Sequence, residues 1–573
     1  MADVKVKYLR RLLDEAKRYR KDKYDDEWTE ALKWLKGDQY LRGGDSDADF
    51  RSDTVTNLLF AHMMDTVPHL SNRLPIVTAL PYGLGPEEKA RADELTAQIA
   101  RCLRYNDFVT RQTEATTNGL IFGRGIYKPV WNGSMRGGMG DIQITTTDPR
   151  SIYKDRYWLK ESNWIFECRE LDKLTLYRMY PKKKTLIDKA FLITNQAGST
   201  DSYGEQGENT GETTYHATAE GDPDPTTSQA YVWDVASAMG SEHSKVEVVE
   251  AWFVDESTIE DVIKIQKSKP GGGETTKRKK AFKKQYPMGR LITFVGNEVL
   301  DDRPNPFPHF PYVEWDNYCI PGETYGHGDL VQLKEIQEQY NIRSNQIYDG
   351  LNFTTFPITF YDYRSGLDPD EIENRPGGYY PVEDVEGIRR FDTTGMSAAT
   401  FTSLKQIEHI FDIISGSHDV TRGEVPGDVR SGYAVEQLQE MAQNRLRLKT
   451  RSLEYAVKNL AKYMTDMIGM FYIPGVHYQD TMDLRGIDSD MFDYEVRAGT
   501  SLPQSRFATM QREQWMFSEG IVDEQYIIEN SDVDGKEEVT QRMKPLWDAK
   551  REMLLAGPQG PPPGGPPPAP EGI

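Results

Sequence analysis

Apolar residues recur at helical spacing through residues 3–35. Leu9, Leu12, Leu13, Ala16, Tyr19, Trp28, Leu32 and Leu35 stand among charged neighbours and predict one long amphipathic helix. A second helix opens at Pro86, whose fixed φ and missing N–H suit a first turn. Glu87 and Glu88 follow it, and Leu95, Ile99 and Leu103 point to a core. A third opens near Asp107 and stops among Gly119, Gly123 and Gly125. The period then changes to two: Ile126–Trp131 and Asp141–Thr147 flank a Gly-rich turn and predict a hairpin, closed by Asp148 and Pro149.

Alternation returns in Lys245–Glu256, where Val246, Val248 and Val254 predict a half-buried strand. Leu291–Val295 and Glu298–Leu300, joined by Gly296 and Asn297, predict a second β unit. Asp329 to about Asn352 reads as a helix of roughly 36 Å, with Asp329 and Gln332 as its capping pair. A β-rich run follows Pro357 and ends at Tyr363. Beyond it a loop over 387–402 leads into a short helix carrying Leu404, Ile407, Ile410, Phe411 and Ile414. The longest helix is expected over 431–470, and 503–550 reads as helices joined by turns.

Charge changes this picture in two places. From Ala190 to Ser244 there is no Lys or Arg against nine Asp or Glu, so 191–244 is expected to be a flexible acidic insertion without a core of its own. Lys264–Lys284 is the opposite, with nine Lys or Arg and one Glu. Lys277, Arg278, Lys279, Lys280, Lys283 and Lys284 form its densest part, and a charge run of this kind reads as a solvated loop between strands unless its position makes it an interface. The last residues, 551–573, include eight prolines from Gly557 onward and read as a disordered, polyproline-like tail.

The whole chain has 573 residues, 38% of them hydrophobic, enough for a large core in several parts. Its net charge of −21 excludes binding DNA through a global basic field; any nucleic-acid contact has to be local. No apolar stretch reaches membrane-spanning length, and the start, Met1-Ala2-Asp3, lacks a signal-peptide pattern. Cys102, Cys168 and Cys319 are odd in number and far apart, which predicts buried free thiols.

Catalytic chemistry is missing from the sequence. There is no G-x-x-x-x-G-K-[ST], since Gly119, Gly123 and Gly125 lack the Lys and Ser/Thr that would meet phosphate and Mg²⁺; they read as the end of a helix and the start of a strand. No H-E-x-x-H or C-x-x-C occurs, and Pro68 is expected to break the helix on which His62 and His69 would pair. Asn530, Asp532 and Asp534 resemble the start of a calcium loop, but Gln541 stands where a bidentate Glu is needed, so an acidic turn is the better reading. No catalytic residue, metal or cofactor is expected.

Three groups of fragments, taken in order, resemble the portal proteins of tailed phages over most of residues 5–545. The first is Asn118–Trp131, Gly140–Ile144 and Asp148–Tyr153. The second is Pro308–Val313 and Tyr325–Asp329, entering a helix with Gln337 and Asn341. The third is Ser415–Val420, Gly423 and Arg430–Ala434. The resemblance implies an α+β, mostly helical fold of wing, stem helices, β-containing clip and helical crown, assembled as a ring of about twelve around a DNA channel. It places the wing at 1–190 and 353–502, the clip at 245–320, a stem helix at 321–352 and the crown at 503–550.

The implied function is a head-to-tail connector at one capsid vertex of the virion, assembled in the host cytoplasm. Double-stranded DNA passes through it in packaging and ejection. Its partners would be the large terminase subunit, major capsid and scaffolding proteins, and tail adaptors, with no membrane. The basic cluster would then lie in the clip, facing motor or adaptor. The 387–402 loop would be similar to the tunnel loop, with Arg389 and Arg390 toward DNA, unless both pair with Glu383, Asp384 or Glu386 in an ordinary turn. The alternatives are a packaging enzyme, either terminase or nuclease, and another ring-forming virion adaptor.

Overall fold

The computed structural model describes residues 2–39, 52–71, 74–83, 85–156, 162–190, 245–268, 274–355, 359–362, 364, 386, 388–390, 397–416, 444–478, 483–496, 514–522, 526–527 and 536–555, without the side chains of a few of them, 260–281 and 388–390 among them. The chain divides into two units, Met1–Leu502 and Pro503–Ile573. The fold class is the expected one, α+β with several small sheets among helices.

The N-terminal helix runs as predicted but not uniformly. Helix α1 (Ala2–Arg20) and helix α2 (Asp26–Leu35) are joined by a π-helical turn at Lys21–Asp25. An extra residue per turn rotates the apolar stripe, so the two halves serve different cores. Val6, Leu9 and Leu13 lie on a sheet with Phe166, Ile292 and Phe294, whereas Tyr24, Trp28 and Ala31 enter the main core. At the junction the buried Arg20 sits 3.8 Å from the Tyr153 ring centre and donates to the carbonyl of Arg150 at 2.5 Å.

Helix α3 (Leu58–Ser71) contains Pro68 in its last turn and does not stop there, contrary to the expected break; little helix remains beyond the proline to be disrupted. Strand β1 (Val77–Pro81) and helices α4 (Pro86–Tyr105) and α5 (Phe108–Phe122) follow. Gly123 ends α5 at φ +81, and the predicted hairpin is β2 (Arg124–Asn132) with β3 (Asp141–Thr146).

Strands β4 (Ile152–Lys154) and β5 (Trp164–Asp172), helix α6 (Lys173–Met179), and strands β6 (Lys245–Phe253), β7 (Thr258–Ser268), β8 (Glu274–Lys284), β9 (Arg290–Val295) and β10 (Glu298–Pro304) come next. Five of these strands form one antiparallel sheet in the order β10-β9-β6-β5-β4. The acidic segment 191–244 therefore interrupts the chain between two neighbouring strands of one sheet. Of the β units between residues 245 and 304, only the β7–β8 ribbon leaves that sheet. Strand β11 (Val313–Asp316) pairs with β2 in a separate three-stranded sheet.

Helix α7 (Asp329–Thr355) carries polar side chains at four-residue spacing along one face. Gln337, Asn341, Asn345 and Asp349 accept the backbone N–H groups of Leu58, Thr56, Thr54 and Ser52 at 2.9, 3.3, 3.0 and 2.6 Å. Four helical residues rise roughly 6 Å and two extended residues roughly 6.6 Å, so the two periods stay in step over four rungs. Asp329 itself is no exposed cap. It is buried among His62, Asn317 and Lys449, because the helix starts inside the core.

Strands β12 (Thr359–Tyr361) and β13 (Ile388–Arg390) pair with each other. Helix α8 (Ala398–Ser415), capped by the Ser397 hydroxyl, packs along α7. The loop expected over 387–402 is thus strand at its start and helix at its end, because Ser397 is a competent N-cap. Of the longest helix expected over 431–470, the described part is α9 (Asn444–Phe471), and strand β14 (Phe492–Val496) returns to pair with β1. The second unit contains α10 (Lys536–Leu555). Asn530, Asp532, Asp534 and the tail from residue 556 onward lie outside the described residues. Of the three cysteines only Cys102 is fully buried; Cys319 is exposed, at variance with the sequence reading.

Candidate functional site: a basic ribbon on a clamped foot

The basic cluster expected as a loop is the second strand of a ribbon. Eleven residues of β7 face eleven of β8 without a break, with Ile265 opposite Lys277, Lys264 opposite Arg278, Ile263 opposite Lys279 and Val262 opposite Lys280. The β-branched residues of β7 supply the strand propensity that the lysines of β8 lack. Lys283 and Lys284 are exposed, as are Ile259 and Phe282 near the base.

The base is held by charge. Asp255 accepts from Lys5 at 2.6 Å and from Arg290 at 2.8 Å, and its other oxygen accepts from the Ser257 amide at 3.1 Å. Arg290 also pairs with Asp302 at 2.6 Å and lies over the Tyr286 ring. Burial works against the charged form of Asp255. The Lys5 ammonium, the Ser257 hydroxyl and the Arg290 guanidinium outweigh it and hold the carboxyl well below the usual range. The ribbon therefore leaves the body from a point tied at once to α1, β9 and β10.

Arg389 and Arg390 lie on another two-stranded sheet, opposite Phe360 and Thr359 on β12. The structure does not join them with the basic ribbon into one site. Helices α7 and α8, packed along each other, expose large apolar side chains: Tyr348, Leu351 and Phe353 on α7, and Phe401, Ile410 and Ile413 on α8.

Sequence reading missed the buried charges that fix these elements. Arg124 pairs with Asp316 at 2.6 Å and with Glu314 at 3.0 Å, and Lys154 reaches Glu314 at 2.7 Å. Burial opposes ionisation of Glu314, but Arg124 and Lys154 hold its carboxyl down at about 2. Lys128 pairs with Glu167 and Glu250. The only local signal was the placing of Arg124 and Lys128 inside an otherwise apolar strand. Among the described residues, no group of His, Cys, Asp and Glu could hold a metal ion, and no helix is long and apolar enough to cross a membrane.

Two of the fragments that carried the resemblance meet in space. The Gly123 carbonyl accepts the Asn317 amide at 3.0 Å, and a Cβ at Gly326 or Gly328 would fall against the carbonyls of Gly123, or of Leu120 and Ile121. No curated protein matches the chain. The family model described as Phage P22-like portal protein matches residues 75–495, which run from β1 into β14 and include the whole of this crossing. On that match the chain belongs to the P22-like phage portal protein family.

Proposed function

We propose that the chain assembles as a closed ring, about twelve-fold, at one capsid vertex, forming the channel through which the genome is packaged and ejected. The observation that carries this is the number of large apolar side chains that α7 and α8 leave exposed, since a soluble monomer rarely leaves so many in water. A ring also suits the charge. Twelve subunits of −21 repel DNA over most of the wall and let it slide, where many persistent cationic contacts would hold it. Imaging of the purified protein should reveal rings with a central hole; stable monomer or dimer at micromolar concentration would overturn the reading.

In this assignment the β7–β8 ribbon is the exposed clip element, and the five-stranded sheet beneath it belongs with the wing body. The ribbon docks the large terminase subunit and later the tail adaptors. The α7 helix forms a stem, 503–550 the crown, and 353–502 the rest of the wing, with capsid and scaffolding proteins as further partners. Arg389 and Arg390 would give such a ring a belt of guanidinium groups around double-stranded DNA.

Charge reversal at Lys277, Arg278, Lys279 and Lys280 to Glu should leave rings intact while reducing packaging in vitro by roughly tenfold or more, because rim charges steer and orient partners. Arg389→Glu with Arg390→Glu in the same assay should leave motor docking normal and impair DNA retention. Unchanged packaging in the first variant would make the ribbon a solvated hairpin.

A further inference from the structure

On a chain of net charge −21, one helical stripe of α1 is basic. Lys7, Arg10, Arg11 and Arg18 are exposed at i, i+3, i+4 and i+11, and with Asn297 they line a shallow groove that Asp14 and Glu15 share. Glu15 is already engaged by Arg156 at 3.1 Å, and Arg10 donates to Asn297 at 2.8 Å. The β9–β10 turn that carries Asn297 is therefore tied directly to the stripe.

Both ends of the acidic segment 191–244 are anchored beside this stripe. Lys189, just before it, pairs with Glu298, the neighbour of Asn297. Lys245, just after it, opens β6 opposite Asp172, and Glu247 pairs with Lys17 on α1 itself. The segment carries nine carboxylates and no Lys or Arg. Its roughly fifty residues can extend by about 3.3 Å each, far more than is needed to lie along a helix of five turns and return.

We propose that 191–244 docks on the α1 stripe of its own chain, an internal polyanion occupying a basic surface that other polyanions, DNA among them, would otherwise use. Charge complementarity and the two anchors select this occupant. The β8 strand is more basic, but neither anchor is tied to it by a described contact. Such contacts are screened over about 8–10 Å at ordinary salt, so proximity of the tethers matters more than total charge.

The test is carbodiimide cross-linking of the purified full-length protein, prepared from an equal mixture of ¹⁵N-labelled and unlabelled chains. Lys7 is expected to couple to carboxylates between Asp201 and Glu242 within isotopically uniform chains. The yield should fall roughly tenfold between ~0.05 and ~0.5 M salt, and similarly in Arg10→Glu, Arg11→Glu, Arg18→Glu, which keeps Lys7. Coupling mainly to Lys277–Lys284, coupling mainly between chains of different isotope, or a Lys7 yield indifferent to the triple variant would each overturn it.

Discussion

Asp329→Asn should lower the stability of the first unit by about 3–5 kcal/mol. The Asp329 carboxylate accepts from the Lys449 ammonium and lies 3.0 Å from His62 Nε2, while its second oxygen accepts from Asn317 at 2.7 Å. Asp329, Lys449 and His62 expose 4, 3 and 1% of their side chains. Helices α3, α7 and α9 therefore meet on one charged pair from which water is excluded. Asparagine preserves the shape but leaves the ammonium of Lys449 without a counter-charge, and an uncompensated buried ion is what makes breaking such a pair costly. Adding Lys449→Met to Asp329→Asn should recover much of the loss. Thermal melting at neutral pH checks both; a single variant melting like the parent, or a double variant worse than the single, would show that the pair is not what holds these helices together.

Acid should find the same weak point. Burial opposes ionisation of Asp329, but Lys449 and His62 hold its carboxyl far below the usual range; Glu314 behaves alike under Arg124 and Lys154. A carboxylate whose folded pKa is depressed gives its full stabilisation above the unfolded value of about 4 and loses it as pH falls through the folded one. The unit is thus expected to hold down to mildly acidic pH and to destabilise below about 4, the window in which these two groups begin to take up protons only on unfolding.

Beyond the placing of Arg124 and Lys128 in an apolar strand, this charge network was not legible in the sequence, and the reason is distance along the chain. Asp329 stands where a helix start belongs, and its real partner is Lys449, on another helix far downstream. What was legible is local. Pro86 and Gly123 bound their helices where expected, and Gly296 turns β9 into β10 at φ +57. The π turn at Lys21–Asp25 left no mark, because one extra residue does not disturb an apolar pattern already loose at that point. Strand β8 was hidden for another reason: its pairing depends on the apolar residues of β7, while its own run of lysines breaks the alternation by which strands are recognised. Gln337 and Asn341 stood out as a resemblance, yet their task, a ladder to an extended segment far earlier in the chain, needed the structure.

Gly123→Ala should be at least as damaging, by more than about 3 kcal/mol, while Gly133→Ala should stay within about 0.5 kcal/mol of the parent. Two costs add at Gly123. Its φ of +81 closes α5 in the left-handed region, where a Cβ costs about 1–2 kcal/mol. That Cβ would also overlap the Gly326 carbonyl and stand 2.6 Å from the His327 amide nitrogen. Both neighbours are backbone, so neither can rotate away, and the strand-to-helix connection ahead of α7 would have to move as a body. Moving it draws the Gly123 carbonyl off the Asn317 amide and shifts Asn317 from Asp329. The charged cluster and the glycine crossing are therefore one construction, and the two variants should be less than additive when combined. At Gly133 a Cβ meets nothing within 4 Å and φ is not positive, so it reports the cost of alanine alone. Soluble yield and melting temperature of the two variants decide it. If Gly123→Ala melts within a few degrees of Gly133→Ala, the close approach of the two motifs is not what fixes the start of α7.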